Sequence, residues 1–215
     1  MNRPRVLFAD DHRLIREAFA RLVEPECDVV GAVADGLALL AEVPTLRPDI
    51  VVADIAMPLL NGLDATRQLR KDAPDVKVII LTMNEDADLA AEAFRVGASG
   101  FLLKNSAASE LLQAIREVAQ GRSYITPMAT RGLVENLLHV PGPAARPVEL
   151  SVRQREVLQL LAEGHTMKEI ARLLKITPRT VAFHKYSMME LLGAKTFADL
   201  IQFALKGSVV KTYLA

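Results

Sequence analysis

The sequence predicts a chain in two parts. The first is an α/β domain with a parallel five-stranded sheet covered by helices on both faces, and the second is an all-α four-helix domain. Three observations predict this. Short apolar runs alternate with helix-spaced segments up to about residue 122. A Pro-rich stretch, His139–Pro147 (HVPGPAARP), then interrupts the pattern, and beyond it only helix signals occur. A length of 215 residues suits two small domains.

The strand candidates are Arg5–Ala9, Val29–Ala34, Ile50–Ala53, Val78–Leu81 and Gly100–Leu103. Several lack polar alternation, as strands covered on both faces do. Between them apolar residues recur at helical spacing: Leu37, Leu40 and Ala41, then Ala87, Ala90, Ala91 and Phe94, with Gly97 as a helix stop. Five strands alternating with five helices imply right-handed crossovers and a parallel sheet. Proline removes backbone donors and restricts the residue before it, so 139–147 reads as linker. The expected divisions are 1–122, a linker with a helix over 123–147, and 148–215. In the last part Ser151-Val-Arg-Gln154 and Thr166-Met-Lys-Glu169 are capping boxes, opening helices through Leu161 and over Lys168–Leu174. Thr177-Pro178 places a cap and a first-turn proline before a third helix reaching about Leu192, and a fourth runs near Thr196–Leu205.

Composition excludes several classes. Apolar residues are 51% and charged residues 24% of the chain, which supports a packed core rather than a disordered chain. The lone Cys27 closes no intrachain disulfide, in keeping with a reducing compartment. The longest run without Asp, Glu, Lys or Arg, Asn136–Ala145, falls short of the ~20 apolar residues of a membrane span. Only Val6–Ala9 precede the first acidic pair, too few for a signal-peptide core. A soluble, cytoplasmic protein is expected. The net charge of zero conceals an asymmetry: residues 1–145 carry 15 Lys+Arg against 20 Asp+Glu, and residues 146–215 carry 11 against 6. The basic part is a candidate for a polyanionic partner. No GxGxxG follows the first strand and no GxxxxGK[ST] occurs, so dinucleotide and P-loop readings lack their fingerprints.

In open α/β sheets, sites form outside the carboxyl ends of the strands. Here those ends carry Asp10-Asp11, Asp54, Thr82 and Lys104. Clustered carboxylates repel and need a cation, and hard oxygen ligands without clustered His or Cys suit Mg²⁺. A carboxylate beside Mg²⁺ has the chemistry to attack phosphorus, with a Lys and a Thr to contact the phosphoryl oxygens. Any single Asp here reads better as a turn residue. That reading does not explain an apolar strand ending in Lys and another ending in Thr at the same rim. His12, beside the pair, reads as a solvated loop residue.

Asp10-Asp11, DIAMPLLNG (Asp54–Gly62), LTM (Leu81–Met83) and GASGFLLK (Gly97–Lys104) resemble the receiver domain of a two-component response regulator. The resemblance implies a flavodoxin-like (CheY-like) sheet. It implies Asp54 as phospho-acceptor, and Asp10, Asp11, Asp54 and the Ala56 carbonyl as Mg²⁺ ligands. Thr82 and Lys104 would bind the phosphoryl group, making Asp54, Thr82 and Lys104 the reacting set. Thr82 and Phe101 match the family's switch positions. Phe101 has no hydroxyl, so only the rotamer part of that switch carries over, and a buried strand aromatic is an equal reading.

In the basic part, Val181, Met188, Leu191 and Leu192 are spaced to face a core, leaving Arg179, Ala182, Phe183, Tyr186 and Glu190 mostly outward. Lys168, Arg172, Lys175, Arg179 and Lys185 add a positive field. A short helix, a turn at Leu174–Thr177 and a capped second helix suit docking in a major groove. The segment LSVRQREVLQLLAEGHTMKEIARLLKITPRTVAFHK resembles the LuxR-type helix-turn-helix domain, and with the receiver it resembles the NarL/FixJ class. The resemblance implies Thr166–Lys185 as the DNA-binding element and a recognition helix within Thr177–Leu192. Lys168, Thr177, Arg179, Thr180, Phe183, Lys185 and Tyr186 are the contact candidates. Several positions depart from the pattern: Gln154 for a common Glu, Met167 for a usual Asn, and Ala182 for a Lys common on the recognition helix. Fewer cations lower phosphate affinity and its salt slope. Phe183 has the chemistry to pack on a thymine methyl and Tyr186 to donate to a phosphate.

The expected function is a phosphorylation-controlled DNA-binding transcriptional regulator, not an enzyme beyond its own phosphorylation and dephosphorylation. The expected partners are a sensor histidine kinase or small phosphodonor, promoter DNA, and a second copy when phosphorylated, with no membrane. The alternative is a phosphorylation-independent DNA-binding dimer with a receiver-like interaction domain. A dehalogenase-type phosphatase wants a second Asp two residues after the nucleophile, where Ala56 stands.

Overall fold

The computed structural model describes residues 3–84, 87–130 and 150–206. The chain divides into two compact units, Met1–Val140 and Pro141–Ala215.

The first unit runs β1 (Arg5–Ala9), α1 (Arg13–Val23), β2 (Asp28–Val33), α2 (Gly36–Leu46), β3 (Ile50–Asp54), α3 (Gly62–Asp72), β4 (Lys77–Thr82), α4 (Ala87–Val96), β5 (Gly100–Leu103), α5 (Ala107–Ala119) and β6 (Tyr124–Ile125). The sheet order is β2-β1-β3-β4-β5-β6, and every pair is parallel. The order reverses between β1 and β3, the position where open α/β sheets leave a crevice at their carboxyl ends.

Side chains alternate across a strand, so each strand feeds two separate cores. Leu7, Ala9, Val51, Ala53, Ile80, Phe101 and Leu103 join the buried residues of α2, α3 and α4 on one face. Val6, Phe8, Val52, Ile79, Leu81 and Leu102 join Val23 of α1 and Ala107, Leu111, Ala114 and Ile115 of α5 on the other. Helix starts are fixed locally: the Asp35 side chain accepts from the Ala38 N–H and Asn61 from the Asp64 N–H. Gly97 ends α4 at φ 109°, a conformation glycine adopts without strain.

The sheet has six strands where the sequence predicted five. Two residues make no apolar run, so β6 leaves no periodic signal. It is defined by its partner: the Tyr124 N–H donates to the Ser99 carbonyl at 3.1 Å and the Thr126 N–H to Phe101 at 3.0 Å. The fully buried Thr126 hydroxyl then accepts from the Leu103 N–H at 3.1 Å, lengthening the ladder by one side chain. Residues 127–130 are helical, and Ala129 is buried in the core on the α4 face. The remainder of the predicted linker, 131–147, lies outside the described residues.

The second unit contains α6 (Val152–Ala162), α7 (Met167–Leu173), α8 (Pro178–Leu191) and α9 (Phe197–Lys206). Both capping boxes are closed, Ser151 with Gln154 and Thr166 with Glu169, and the Thr177 side chain accepts from the Thr180 N–H ahead of Pro178. Val157, Leu158, Leu160, Ile170, Val181, Met188, Leu200 and Ala204 are buried. One expected core residue is not: Leu191 is 47% exposed. At 3.6 residues per turn it stands roughly 80° around the helix from Val181, whereas Leu192 returns to the inner side.

Candidate functional site

Four chain segments meet at the carboxyl rim of the first unit. Asp10, Asp11 and His12 follow β1, Asp54 ends β3, Thr82 ends β4, and Lys104 follows β5. The Lys104 ammonium lies 2.7 Å from an Asp54 carboxylate oxygen and 2.7 Å from Asp10 Oδ2. Asp10, Asp54 and Thr82 are buried. The His12 Nδ1 lies 2.8 Å from Asp11 and 3.3 Å from Asp10, although its side chain is 62% exposed. The His12 backbone N–H donates to the Asp10 carboxylate at 2.8 Å. One oxygen or nitrogen each of Asp10, Asp11, His12 and Asp54 falls within a 4.8 Å span.

Burial pushes the Asp54 carboxyl above its ordinary range. The Lys104 charge and the Ala56 N–H pull it down, and the Asp10 charge adds to the rise. Burial alone would lower Lys104, but Asp54 and Asp10 outweigh it and the ammonium is held above its ordinary value. Three carboxylates against one ammonium leave negative charge in excess. Asp10 Oδ2 is buried and, beyond its ion pair with Lys104, has no hydrogen-bond partner among the described residues. An under-satisfied buried carboxylate oxygen among hard oxygen donors fits Mg²⁺.

The loop after β3 is pinned against the site. The Gly62 N–H donates to the Ile55 carbonyl at 3.0 Å. A Cβ on Gly62 would stand 2.2 Å from the Asp54 carbonyl oxygen, and one on Gly36 would stand 2.1 Å from that of Leu60. Only glycine allows that approach. Across the sheet, the Thr82 hydroxyl accepts from the Asn84 N–H at 3.0 Å, and the Thr82 carbonyl accepts the Lys104 N–H at 2.7 Å. Phe101 is fully buried in the core shared with α4. Nearby, the Tyr124 hydroxyl donates to Glu110 at 3.1 Å, and burial with that carboxylate pushes its pKa to about 12.

In the second unit, Lys168, Arg172, Lys175, Arg179, Phe183 and Tyr186 are exposed on α7, the turn and α8. The Thr177 and Thr180 hydroxyls bond each other at 2.9 Å within the α8 cap. The Lys185 ammonium sits 4.8 Å from the Phe197 ring centre and 5.4 Å from that of Tyr186, drawn toward the start of α9.

The response regulator receiver domain family matches residues 6–116, and the family of bacterial regulatory proteins, luxR family, matches 148–204. The oxygen regulatory protein NreC of Staphylococcus carnosus (strain TM300) is 35% identical over 210 residues, covering 94% of this chain and 97% of that protein. NreC of Staphylococcus aureus (strain MRSA252) is 34% identical over 215 residues, covering 96% and 99%. The chain belongs to the NarL/FixJ class of response regulators. Among solved structures, the Salmonella typhimurium RcsB response regulator superposes with a TM-score of 0.64 at 27% identity, covering 94% of this chain and 97% of that one. A LuxR-family two-component response regulator from Aurantimonas sp. SI85-9A1 gives 0.62 at 34% identity, covering 64% and all of that chain.

This response regulator thus joins a receiver to a LuxR-type DNA-binding domain. Sequence reasoning placed Asp10, Asp11, Asp54, Thr82 and Lys104 at one rim, and the rim assembles. His12 is solvated, as read, with its side chain 62% exposed, and its Nδ1 also lies within reach of two carboxylates. One neighbour of the rim was missed. Thr126 anchors the edge beside Lys104 and sits in a segment read as linker.

Proposed function

We propose that this response regulator accepts a phosphoryl group on Asp54 from a partner histidine kinase or a small phosphodonor, and that phosphorylation changes dimerisation and promoter binding. One observation carries the reading: a single ammonium, Lys104, is shared at 2.7 Å by two buried carboxylates, one just after β1 and one at the end of β3. An Asp54 carboxylate oxygen attacks phosphorus as the phosphorus–nitrogen bond of the donor phosphohistidine breaks. The bonding pair leaves with the imidazole nitrogen, which then takes a proton from water. Asp10, Asp11, Asp54 and the Ala56 carbonyl would hold Mg²⁺, whose charge offsets that of the transferred group. Lys104 and the Thr82 hydroxyl then hold the new phosphoryl oxygens. Phe101, in the α4-face core, repacks as Thr82 shifts.

The proposed divisions are a receiver over 1–122, a linker with a helix over 123–147, whose first residues add β6 to the receiver sheet, and a DNA-binding domain over 148–215. The proposed DNA-contacting set is Lys168, Thr177, Arg179, Thr180, Phe183, Lys185 and Tyr186. A solved structure of two RcsB dimers bound to two parallel DNAs supports a dimer on DNA, and a further RcsB–DNA complex supports DNA binding. No helix among the described residues is long and apolar enough to cross a membrane. The proposed location is the cytoplasm.

The test is phosphate uptake. Acetyl phosphate with Mg²⁺ is expected to add one acid-labile phosphate to the wild-type chain and none to Asp54→Asn. Undiminished labelling of that variant removes the acceptor assignment. Equal DNA affinity with and without the phosphodonor would favour a phosphorylation-independent dimer.

A further inference from the structure

The outward stripe of α8 reads Arg179, Phe183, Tyr186 and Glu190, residues that follow one another by three or four positions and are all exposed. They therefore form one face of the helix. Phe183 is 68% and Tyr186 63% exposed, the largest exposures of apolar side chains described in this unit. A small domain gains nothing in stability by holding two aromatic rings in water, so adjacent exposed rings mark a contact surface.

The cations around this face are arranged unusually. Lys185 lies beside the middle of the stripe, its ammonium 5.4 Å from the Tyr186 ring centre and 4.8 Å from that of Phe197, so it covers Tyr186 and leaves Phe183 without a cation over its ring, and Ala182 offers no polar group. Glu190 at the far end repels phosphate. The exposed cations lie instead on α7, the turn and the first turn of α8, as Lys168, Arg172, Lys175 and Arg179. The element thus has a cationic end suited to the phosphate backbone and, at the exposed Phe183 ring, a surface suited to something uncharged.

We infer that Phe183, with Tyr186 beside it, is the specificity-determining pair of this regulator and reads the C5-methyl groups of thymine in the major groove. The inference rests on the DNA-binding reading proposed above. Base edges in the major groove present hydrogen-bond donors and acceptors, and thymine adds the one methyl group. A phenyl ring has no donor or acceptor, so the methyl is the feature it complements. Tyr186 differs by one hydroxyl, which reaches a neighbouring acceptor or phosphate while its ring shields the same methyl from water.

The experiment uses the full chain, treated with acetyl phosphate and Mg²⁺, to select duplexes from a random-sequence library. Each thymine of the enriched site is then replaced by uracil, which removes only the methyl. At one or two positions per half-site the wild type is expected to lose about fourfold in affinity, since one buried methyl is worth about 0.8 kcal/mol. Phe183→Ala is expected to bind the thymine duplex more weakly and to be indifferent to the uracil replacement. Because Phe183 is exposed, that variant keeps its fold, which circular dichroism checks. A selected site at which the wild type ignores every uracil replacement overturns the inference, while its binding to the duplex leaves the DNA-binding reading standing. If Phe183→Ala changes the mass of the free protein in solution and keeps the uracil sensitivity, the rings serve self-association and the inference also fails. No enrichment of any duplex, with no binding to DNA at all, sinks the underlying DNA-binding reading instead.

Discussion

The receiver rim and the α8 face solve opposite problems. At the rim, charged groups are buried: Asp10 and Asp54 share the Lys104 ammonium at 2.7 Å, and each depends on the others. On α8, apolar groups are exposed, and Phe183 and Tyr186 lean on little of their own domain. Buried charge demands partners, because an unpaired ion in a low-dielectric interior is costly. Exposed aromatic surface demands nothing until a ligand arrives. The first kind of site is therefore built by folding, and the second is completed by binding.

The largest expected effect tests that dependence directly. Lys104→Met leaves two buried carboxylates without their cation and is expected to cost about 3–5 kcal/mol of stability, read from denaturant midpoints without divalent ions. Added Mg²⁺ is expected to restore part of the loss, because a cation that binds only the folded state raises stability. Phe183→Ala, by contrast, is expected to change stability by less than about 0.5 kcal/mol. Equal costs for the two would erase the distinction between the regions.

A smaller effect follows from protonation. Burial raises Asp54 above its ordinary value in the fold, so the folded state binds the proton more tightly than the unfolded chain. Its stabilising share is complete below the unfolded value and is lost as pH rises through the raised folded value. Asp54→Asn escapes that loss. Its stability relative to the wild type, without divalent cations, is expected to improve from about pH 4 toward pH 7, followed by thermal melts. Lys104, held above its ordinary value, stays charged throughout that window and does not contribute to the slope. A flat difference between the two proteins would remove the claim that Asp54 is ionised at a cost.

The smallest effect concerns two cations on one helix. Arg179→Ala is expected to lower the magnitude of the salt slope of DNA binding by about 1. Lys185→Ala, whose ammonium sits over Phe197, is expected to lower it by less than half as much. Equal slopes would mean that Lys185 leaves the ring to meet phosphate.

Legibility in the sequence follows the same division. The strands, the rim residues and both capping boxes were readable, because burial and hydrogen-bond satisfaction restrict which residues stand where. Asp54 and Lys104, fifty positions apart, were both visible as polar ends of apolar strands. What escaped depends on three-dimensional neighbours. β6 exists through its pairing with β5 and the Thr126 hydroxyl. Leu191 has an apolar identity but the wrong angle on α8. The turn of Lys185 toward Phe197 joins two helices through a contact that no spacing rule within one helix encodes.

The alternation of side chains across the sheet has a further consequence. Phe101 and Leu102 are neighbours in the chain but belong to different cores. A rearrangement around Phe101 can reach the α1 and α5 side only by moving strand backbone, which parallel ladders on both flanks of β5 resist. The sheet acts as a partition: Phe101 packs with the buried residues of α2, α3 and α4, and Leu102 with those of α1 and α5.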